Sequence, residues 1–424
     1  MKRLQRADQR LGALACALLQ PLRWFRREAP LERPARRVLS IKFWGIGSLQ
    51  LLTPAVSSLR RRHPEAELVF LTLAQNGECA AALGVFDRVL TLDVAAAGWP
   101  AIFARILRLS ARLRGERFDE VYDFEFFTRF SAVVSLLTGA RRTHGFASNR
   151  TWRGGFHTDV AQFNRYWHVA RNFRVLAGGE DGRNVTASDL DPCRFSEADL
   201  ARVAELLAAR ELDPGTPFAV LNPNAGSLSL ERRWPAPRFA ELARRLARED
   251  RLAVVLVGSA SEREHTRGVR TLAGREVIDL AGELSTAELA ALLSRASVVV
   301  SNDSGPMHLA AALGAPTVGL FGPETPLMYA PLGLRTRALY RPPPCSPCIN
   351  VHDNKLASCV FGEPQCLMAI SVEEVLGVAR ALVRGEEFEI EPSAPAELGR
   401  IASAYGARHL PGRGRPSRSQ APRA

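Results

Sequence analysis

The constraint that most limits this chain is a unit of strand, tight turn, helix and second strand, sharpest in residues 297–323. Ser297 to Ser301 continues a run of buried-type β-branched residues, which predicts a strand covered on both faces. The run breaks at Asn302-Asp303-Ser304-Gly305, Pro306 suits the first position of a helix, and Leu309 to Leu313 carries that helix to Gly314. Pro316 to Phe321 follows as another strand. Two parallel strands joined by a helix require a sheet with helices on its faces. The turn places free backbone N–H groups, small side chains and the positive end of a helix dipole at the carboxyl edge of that sheet, where a diphosphate binds. The same residue types also serve as ordinary helix caps.

The alternation occurs twice. Strands are predicted at 37–43, 67–72, 88–92 and 120–124, with helices at 49–62, 80–83, 101–113 and 131–137 between and after them. It resumes with strands at 218–222, 253–257 and 276–279 and helices at 237–249, 261–272 and 286–295, and ends on a helix at 371–384. Residues 141–167 read as polar, aromatic and irregular, and the single helix at 197–210 lies in the junction at 189–217. These limits divide the chain into residues 1–36, a domain over 37–190, a domain over 215–385, and a tail from 386 to 424. The expected class is α/β: two facing Rossmann-like domains with parallel sheets and a cleft between them, bordered by the carboxyl ends of their strands. Three such ends in the second half carry Asn222-Pro223-Asn224-Ala225-Gly226, Gly258-Ser259-Ala260-Ser261-Glu262, and Ser301 to Gly305.

Charge is confined to the two ends. Residues 1–37 hold ten Lys/Arg against three Asp/Glu, and residues 400–424 hold six Arg and no acid, so a net charge of +12 leaves the body near −1. A basic, aromatic-interleaved stripe of the kind that binds nucleic acid is absent from the body. In residues 1–27, Leu4, Leu11, Leu14, Leu18, Leu22 and Phe25 recur at helical spacing among basic residues. An interfacial helix on an acidic membrane surface, a plain packing helix and a secretory signal share that pattern. Arg23 to Arg27 and the lack of a small-x-small site disfavour the signal. No apolar run is long enough to span a bilayer. The tail, rich in Pro, Gly, Ser and Arg, is expected to be disordered. Cys16, Cys79 and Cys193 are scattered like reduced thiols. Cys345, Cys348, Cys359 and Cys366 cluster, with one C-x-x-C, as a structural cluster, a zinc set, disulfides or free thiols.

The segments RVLSIKFWGIGSLQLLTPAVSSLRRRHPEAEL, NPNAGSLSLERRWPAPRFAELARRL, VVLVGSASERE and the run from Ile278 to Pro323 together resemble glycosyltransferase family 9, the ADP-heptose:lipopolysaccharide heptosyltransferases, over roughly Arg37 to Arg384. The resemblance implies a GT-B fold and inverting, metal-independent transfer of a heptose from an ADP-sugar to a lipid-linked saccharide at the cytoplasmic face of the inner membrane. Transfer of another sugar, such as a UDP-N-acetylhexosamine, and silent nucleotide-sugar binding are the alternatives. By the same resemblance Asp303, Ser304, Gly305 and His308 match a diphosphate- and sugar-binding turn. Glu262 matches an acid that accepts from ribose hydroxyls, beside Gly258 and Ser259, and Leu284 matches a segment lining the purine pocket. Asn222 joins this donor set from its strand end. Arg232, in Arg232-Arg233-Trp234, stands where the family has the Lys of a K-x-W motif serving the leaving phosphate. The family's first turn commonly ends in an Asp that deprotonates the acceptor; here that position is Ser48, which has no pKa suited to a base. Asp123 and Glu125, at the end of the fourth strand, are the best placed acids to act instead, and Glu125 stands where the family more often has Gln. Arg129 matches a basic position facing an anionic acceptor.

Overall fold

A computed structural model describes residues 2–25, 34–94, 98–147, 151–179, 184–226, 229–349 and 359–386. Twelve strands form two six-stranded, wholly parallel sheets among these residues. The first contains β1 Arg37–Ile41, β2 Glu67–Leu73, β3 Arg88–Leu92, β4 Glu120–Asp123, β5 Arg142–Ala147 and β6 Asp159–Gln162. Its order is β3-β2-β1-β4-β5-β6, so the chain reverses direction between β1 and β4. The second sheet contains β7 Phe218–Asn222, β8 Ala253–Leu256, β9 Ile278–Asp279, β10 Val298–Asn302, β11 Thr317–Phe321 and β12 Thr336–Tyr340, in the order β12-β11-β10-β7-β8-β9. Both sheets are doubly wound, as the alternation of strands and helices required.

Strands β7, β10 and β11 are buried along their whole length, which is why their apolar runs do not alternate. Helix Gly305–Ala312 starts with Pro306 in its first turn, and Gly314 takes φ +79°, ending the helix before β11. One apolar core runs from the first sheet, through Phe70, Phe124 and Phe173, to the face of the second sheet carrying Val220 and Val299 and to Met307 on helix Gly305–Ala312. A second core, on the opposite face of the second sheet, joins Trp234 and Phe239 to Leu367 and to Val375 of helix Val372–Val383. The domains meet where the Glu78 carboxylate, on helix Gly77–Leu83, accepts the first amide of helix Thr286–Ser294, that of Thr286.

Two segments differ from their expected form. Residues 141–167 hold β5 and β6, which complete the first sheet. Their pattern is obscured because His144 and Asp159 are spent on polar contacts: His144 Nε2 lies 3.1 Å from Glu120, and Arg142 reaches Asp159 at 3.1 Å. The helix expected over 49–62 is two helices, Ile46–Gln50 and Thr53–Arg62, the second opening with Pro54 in its first turn. Helix Glu197–Ala208, capped by Ser196 and Asp199, packs on helix Thr286–Ser294 of the second half. The basic amphipathic start folds as helix Lys2–Leu18 followed by a 3-10 turn, Gln20–Phe25. No helix among the described residues is long and apolar enough to cross a membrane. The tail from 387 to 424 lies outside the described residues.

Candidate active site in the interdomain cleft

The second sheet presents its carboxyl edge to the cleft, and the residues singled out in sequence fall along it in spatial order. At β10 the chain turns through Asp303 and Ser304 into helix Gly305–Ala312. Asn222, at the end of adjacent β7, donates from Nδ2 to Ser301 Oγ at 3.0 Å and to Ser304 Oγ at 2.7 Å. Ser304 Oγ in turn donates to the Asn302 carbonyl at 3.0 Å and does not cap the helix behind it. The first amides of that helix are therefore left without a side-chain cap, which suits an anion. Arg232 closes the turn from the side. Its Nη1 donates to the Asp303 carbonyl at 2.9 Å and to the Asp303 carboxylate at 3.2 Å, and its Nη2 to the Ala225 carbonyl at 2.6 Å. Arg232 Nε is buried with no partner among the described residues. Trp234, wholly buried, donates its backbone N–H to Asn302 Oδ1 at 3.0 Å and its indole N–H to the Ile370 carbonyl at 3.0 Å, so the Arg232-Arg233-Trp234 run is pinned to β10.

Next along the edge, after β8, Glu262 accepts from the Ser259 amide at 2.9 Å and hydroxyl at 2.8 Å through Oε2. Through Oε1 it accepts from Gly226 N–H at 3.0 Å. Glu262 thus ties the β7 and β8 loops together as well as capping its own turn. A Cβ on Gly258 would lie 2.4 Å from Asn224 Nδ2, so this position accepts nothing larger than glycine without displacing Asn224. Beyond β9, Leu284 lies half-buried against the shared core.

Across the cleft, Gly45 at φ +85° turns β1 into helix Ile46–Gln50. That helix packs directly on helix Gly305–Ala312, and two glycines permit the approach. A Cβ on Gly47 would lie 2.5 Å from His308 Cδ2, and one on Gly305 would lie 3.2 Å from Ile46 Cγ2. His308 is 3 % exposed, so the donor turn and the first turn of the other domain are in contact. Ser48 sits one residue beyond, partly exposed.

Asp123 and Glu125 are both fully buried. Asp123 Oδ1 accepts from the Glu125 amide at 3.0 Å, while Oδ2 meets His157 Nε2 at 3.1 Å and the Arg153 guanidinium. Burial alone would raise its pKa, but the Arg153 charge and the His157 hydrogen bond outweigh it and hold the carboxyl below its ordinary value. Glu125 Oε1 accepts from Lys42 Nζ at 3.1 Å, Phe43 N–H at 2.8 Å and Trp44 N–H at 2.9 Å. Its Oε2 has no partner among the described residues. Glu125 also faces the second domain: burial, with the negative charges of Glu324, Asp303 and Glu125, pushes the Tyr329 phenol well above its ordinary pKa. Arg129 begins helix Arg129–Leu137, with its backbone N–H on Asp8 and its Nε on the Trp152 carbonyl at 2.9 Å.

Lys42, Arg153, His157 and His168 are contributors that sequence reading passed over. Lys42 is one of only three lysines in a chain with 56 basic residues, and it stands at a strand's carboxyl end, which is the signal that singles it out. His168 reaches the Ala330 carbonyl of the second domain from Nε2 at 3.0 Å while its Nδ1 accepts from the Ala170 amide at 3.3 Å. Among the described residues no group of three or more His, Cys, Asp or Glu side chains is placed to hold a metal ion. The set Cys345, Cys348, Cys359 and Cys366, read as a candidate for zinc, is interrupted by residues 350–358, outside the described residues. Burial and the neighbouring Cys348 and Cys345 push the Cys366 thiol up to about 12.

Comparison with known proteins points one way. Residues 106–357 match the model of glycosyltransferase family 9 (heptosyltransferase). Lipopolysaccharide heptosyltransferase 1 of Pseudomonas aeruginosa is 32 % identical over 370 residues, covering 83 % of this chain and 99 % of that protein. Lipopolysaccharide heptosyltransferase 2 of Escherichia coli is 28 % identical over 294 residues, covering 66 % of this chain and 80 % of that one. Among solved structures, Escherichia coli ADP-heptose lps heptosyltransferase II superimposes with a TM-score of 0.65 at 24 % identity, over 82 % of this chain and 99 % of its own. A family 9 glycosyl transferase from Veillonella parvula gives 0.67 at 21 % identity, over 84 % and 99 %.

Proposed function

This chain belongs to glycosyltransferase family 9 and is a glycosyltransferase of GT-B fold, and we propose that it transfers a heptose from ADP-heptose, with inversion, to a lipid-linked saccharide of the lipopolysaccharide-core type. The carrying observation is the donor edge, where the uncapped start of helix Gly305–Ala312 and Arg232 Nε converge on one turn. A diphosphate there meets the helix amides, the Arg232 guanidinium and His308. Glu262, next along the edge, takes the ribose hydroxyls, and the base lies over Leu284. Relatives named for heptose transfer to lipopolysaccharide support the choice of sugar and acceptor.

In the reaction the acceptor hydroxyl loses its proton as its oxygen bonds to the anomeric carbon. The bond from that carbon to the diphosphate breaks, and ADP leaves with the electron pair. Arg232 and the helix amides stabilise the charge developing on the leaving phosphate. Glu125, rather than Asp123 or Ser48, takes the proton: Oε2 is the carboxylate oxygen of this turn without a partner among the described residues, whereas both oxygens of Asp123 are engaged. Arg129 holds an anionic group of the acceptor, which is anchored in the cytoplasmic leaflet of the inner membrane. One observation favours silent donor binding instead, namely that Lys42 and two amides already occupy Glu125 Oε1.

Thermal shift with ADP and with UDP at equal concentration tests the nucleotide, since a ligand of the native state raises the midpoint further the more tightly it binds. ADP is expected to raise it more, and a larger shift with UDP would favour the UDP-sugar reading. Turnover of Glu125→Gln then separates transfer from silent binding. A fall of roughly 100-fold or more with ADP affinity unchanged supports Glu125 as base; full activity removes it.

A further inference from the structure

Helix Lys2–Leu18 has two differently committed faces. Asp8, Gly12 and Cys16, at spacing i, i+4 and i+8, dock it on helix Arg129–Leu137. The Asp8 carboxylate accepts from the Arg129 amide at 3.1 Å and the Phe130 amide at 2.8 Å, capping a helix that its own Thr128 leaves uncapped. A Cβ on Gly12 would lie 3.0 Å from Arg129 Cβ, so the helices are as close as glycine permits. Cys16 is completely buried with Ala132, Leu136 and Phe156. This is a fixed element of the first domain.

Its neighbouring face has no such partner. Leu11, Leu14 and Leu18 fall on one stripe at 60 %, 58 % and 71 % exposure, continued by Leu22 at 43 %. A docked helix and the turn after it that leave four leucines in water form a surface made for an apolar medium. The charge around it selects which. Arg10 is exposed beside the stripe, the helix sequence carries Lys2, Arg3 and Arg6 as well, and its one acid, Asp8, is consumed in capping Arg129 and Phe130. Residues 1–37 bear ten basic groups against three acids. Apolar side chains flanked by cations match the interface of an anionic bilayer, where leucines enter the acyl boundary and arginines stay among the headgroups.

We infer that the Leu11/Leu14/Leu18/Leu22 stripe lies on an anionic lipid surface and, through the Asp8 cap on Arg129, fixes the acceptor side of the cleft against that surface. This rests on the proposed lipid-linked acceptor only for its purpose; the docking is measurable without donor or acceptor. Arg129 links the two roles, since its backbone is held by the helix and its guanidinium turns to the Trp152 carbonyl.

The test is cosedimentation of the full chain with vesicles of phosphatidylcholine alone or with one-third phosphatidylglycerol. The wild type is expected to bind the anionic vesicles at least tenfold better, with binding falling as salt rises. The triple variant Leu11→Ser, Leu14→Ser, Leu18→Ser is expected to lose at least tenfold in vesicle binding. Its melting temperature and ADP affinity should be unchanged, because Leu11, Leu14 and Leu18 are each more than half exposed. Equal binding of wild type and triple variant to anionic vesicles overturns the inference. So does a wild-type dimer that the triple variant converts to monomer, which would assign the stripe to a second copy. Absence of heptosyl transfer by a wild type that does bind vesicles leaves the docking standing and refutes the acceptor reading alone.

Discussion

Replacing Lys42 by Met removes the positive half of the most deeply buried ion pair in the first domain. The Lys42 and Glu125 side chains are 1 % and 0 % exposed and 3.1 Å apart. At an effective dielectric near 20, their attraction is about 5 kcal/mol before desolvation is counted. Desolvating both partners offsets much of that, so the pair as a whole contributes little. Removing one partner is different, because it strands a buried carboxylate with only the Phe43 and Trp44 amides, at a cost of about 3–5 kcal/mol. For a domain of this size that is roughly a 10 °C fall in melting temperature. The double variant Lys42→Met, Glu125→Gln leaves no stranded charge and should recover more than half of the loss. Urea denaturation of the four proteins of this cycle gives the coupling energy directly. A single-variant loss under about 1 kcal/mol, or strict additivity in the double variant, would refute the view that Lys42 is there to hold Glu125.

Other expectations follow from the same contacts. Gly47→Ala places a methyl 2.5 Å from His308 Cδ2, so it should hold the domains apart and lower turnover by roughly 100-fold while ADP affinity stays within about twofold; a matched loss of ADP affinity would mean that His308, rather than closure, was disturbed. Arg232→Gln should weaken ADP binding by roughly 10- to 100-fold by calorimetry, through lost charge-assisted hydrogen bonds, and unchanged binding would remove Arg232 from the phosphate site. Burial, against the bond to the Ala330 carbonyl, holds His168 at about 4 instead of 6.5. The unfolded chain therefore takes up a proton that the folded one refuses, and this contribution to stability is complete above pH 6.5 and lost as pH falls toward 4. Denaturation midpoints of His168→Gln should be flatter over that window, and an unchanged slope would exclude His168 as a source. Glu120 acts lower on the scale. Burial would raise it, but hydrogen bonds from His144 and Tyr122 and the charges of His144 and His63 bring it to about 2 from 4.5. Its contribution is present above pH 4.5 and lost toward pH 2, so Glu120→Gln should be less stable at neutral pH and lose less between these values.

What the sequence disclosed depends on how far each feature reaches along the chain. Strands β7, β10 and β11 are buried on both faces, so unbroken apolar runs mark them. The donor turn was legible because its geometry is local: strand end, Asp303-Ser304-Gly305 and helix start are contiguous. Strands β5 and β6 escaped notice because they carry His144 and Asp159 into a polar cluster around Glu120. The acceptor side was the least readable for a similar reason. Asp123 and Glu125 look like available acids in sequence, but their partners Arg153, His157 and Lys42 lie 30, 34 and 83 residues away and meet them only in the fold. The contact of Gly47 with His308 joins the two domains and has no signature in either segment alone.

Acceptor-dependent transfer from a donor held at the Asp303 to His308 turn is read by following ADP release from ADP-heptose with purified lipid acceptor in vesicles. Release is expected to rise and saturate with acceptor and to be reduced in both Arg232→Gln and Glu125→Gln. Tight ADP-heptose binding with no acceptor-dependent release would contradict it and leave a nucleotide-sugar-binding protein in its place.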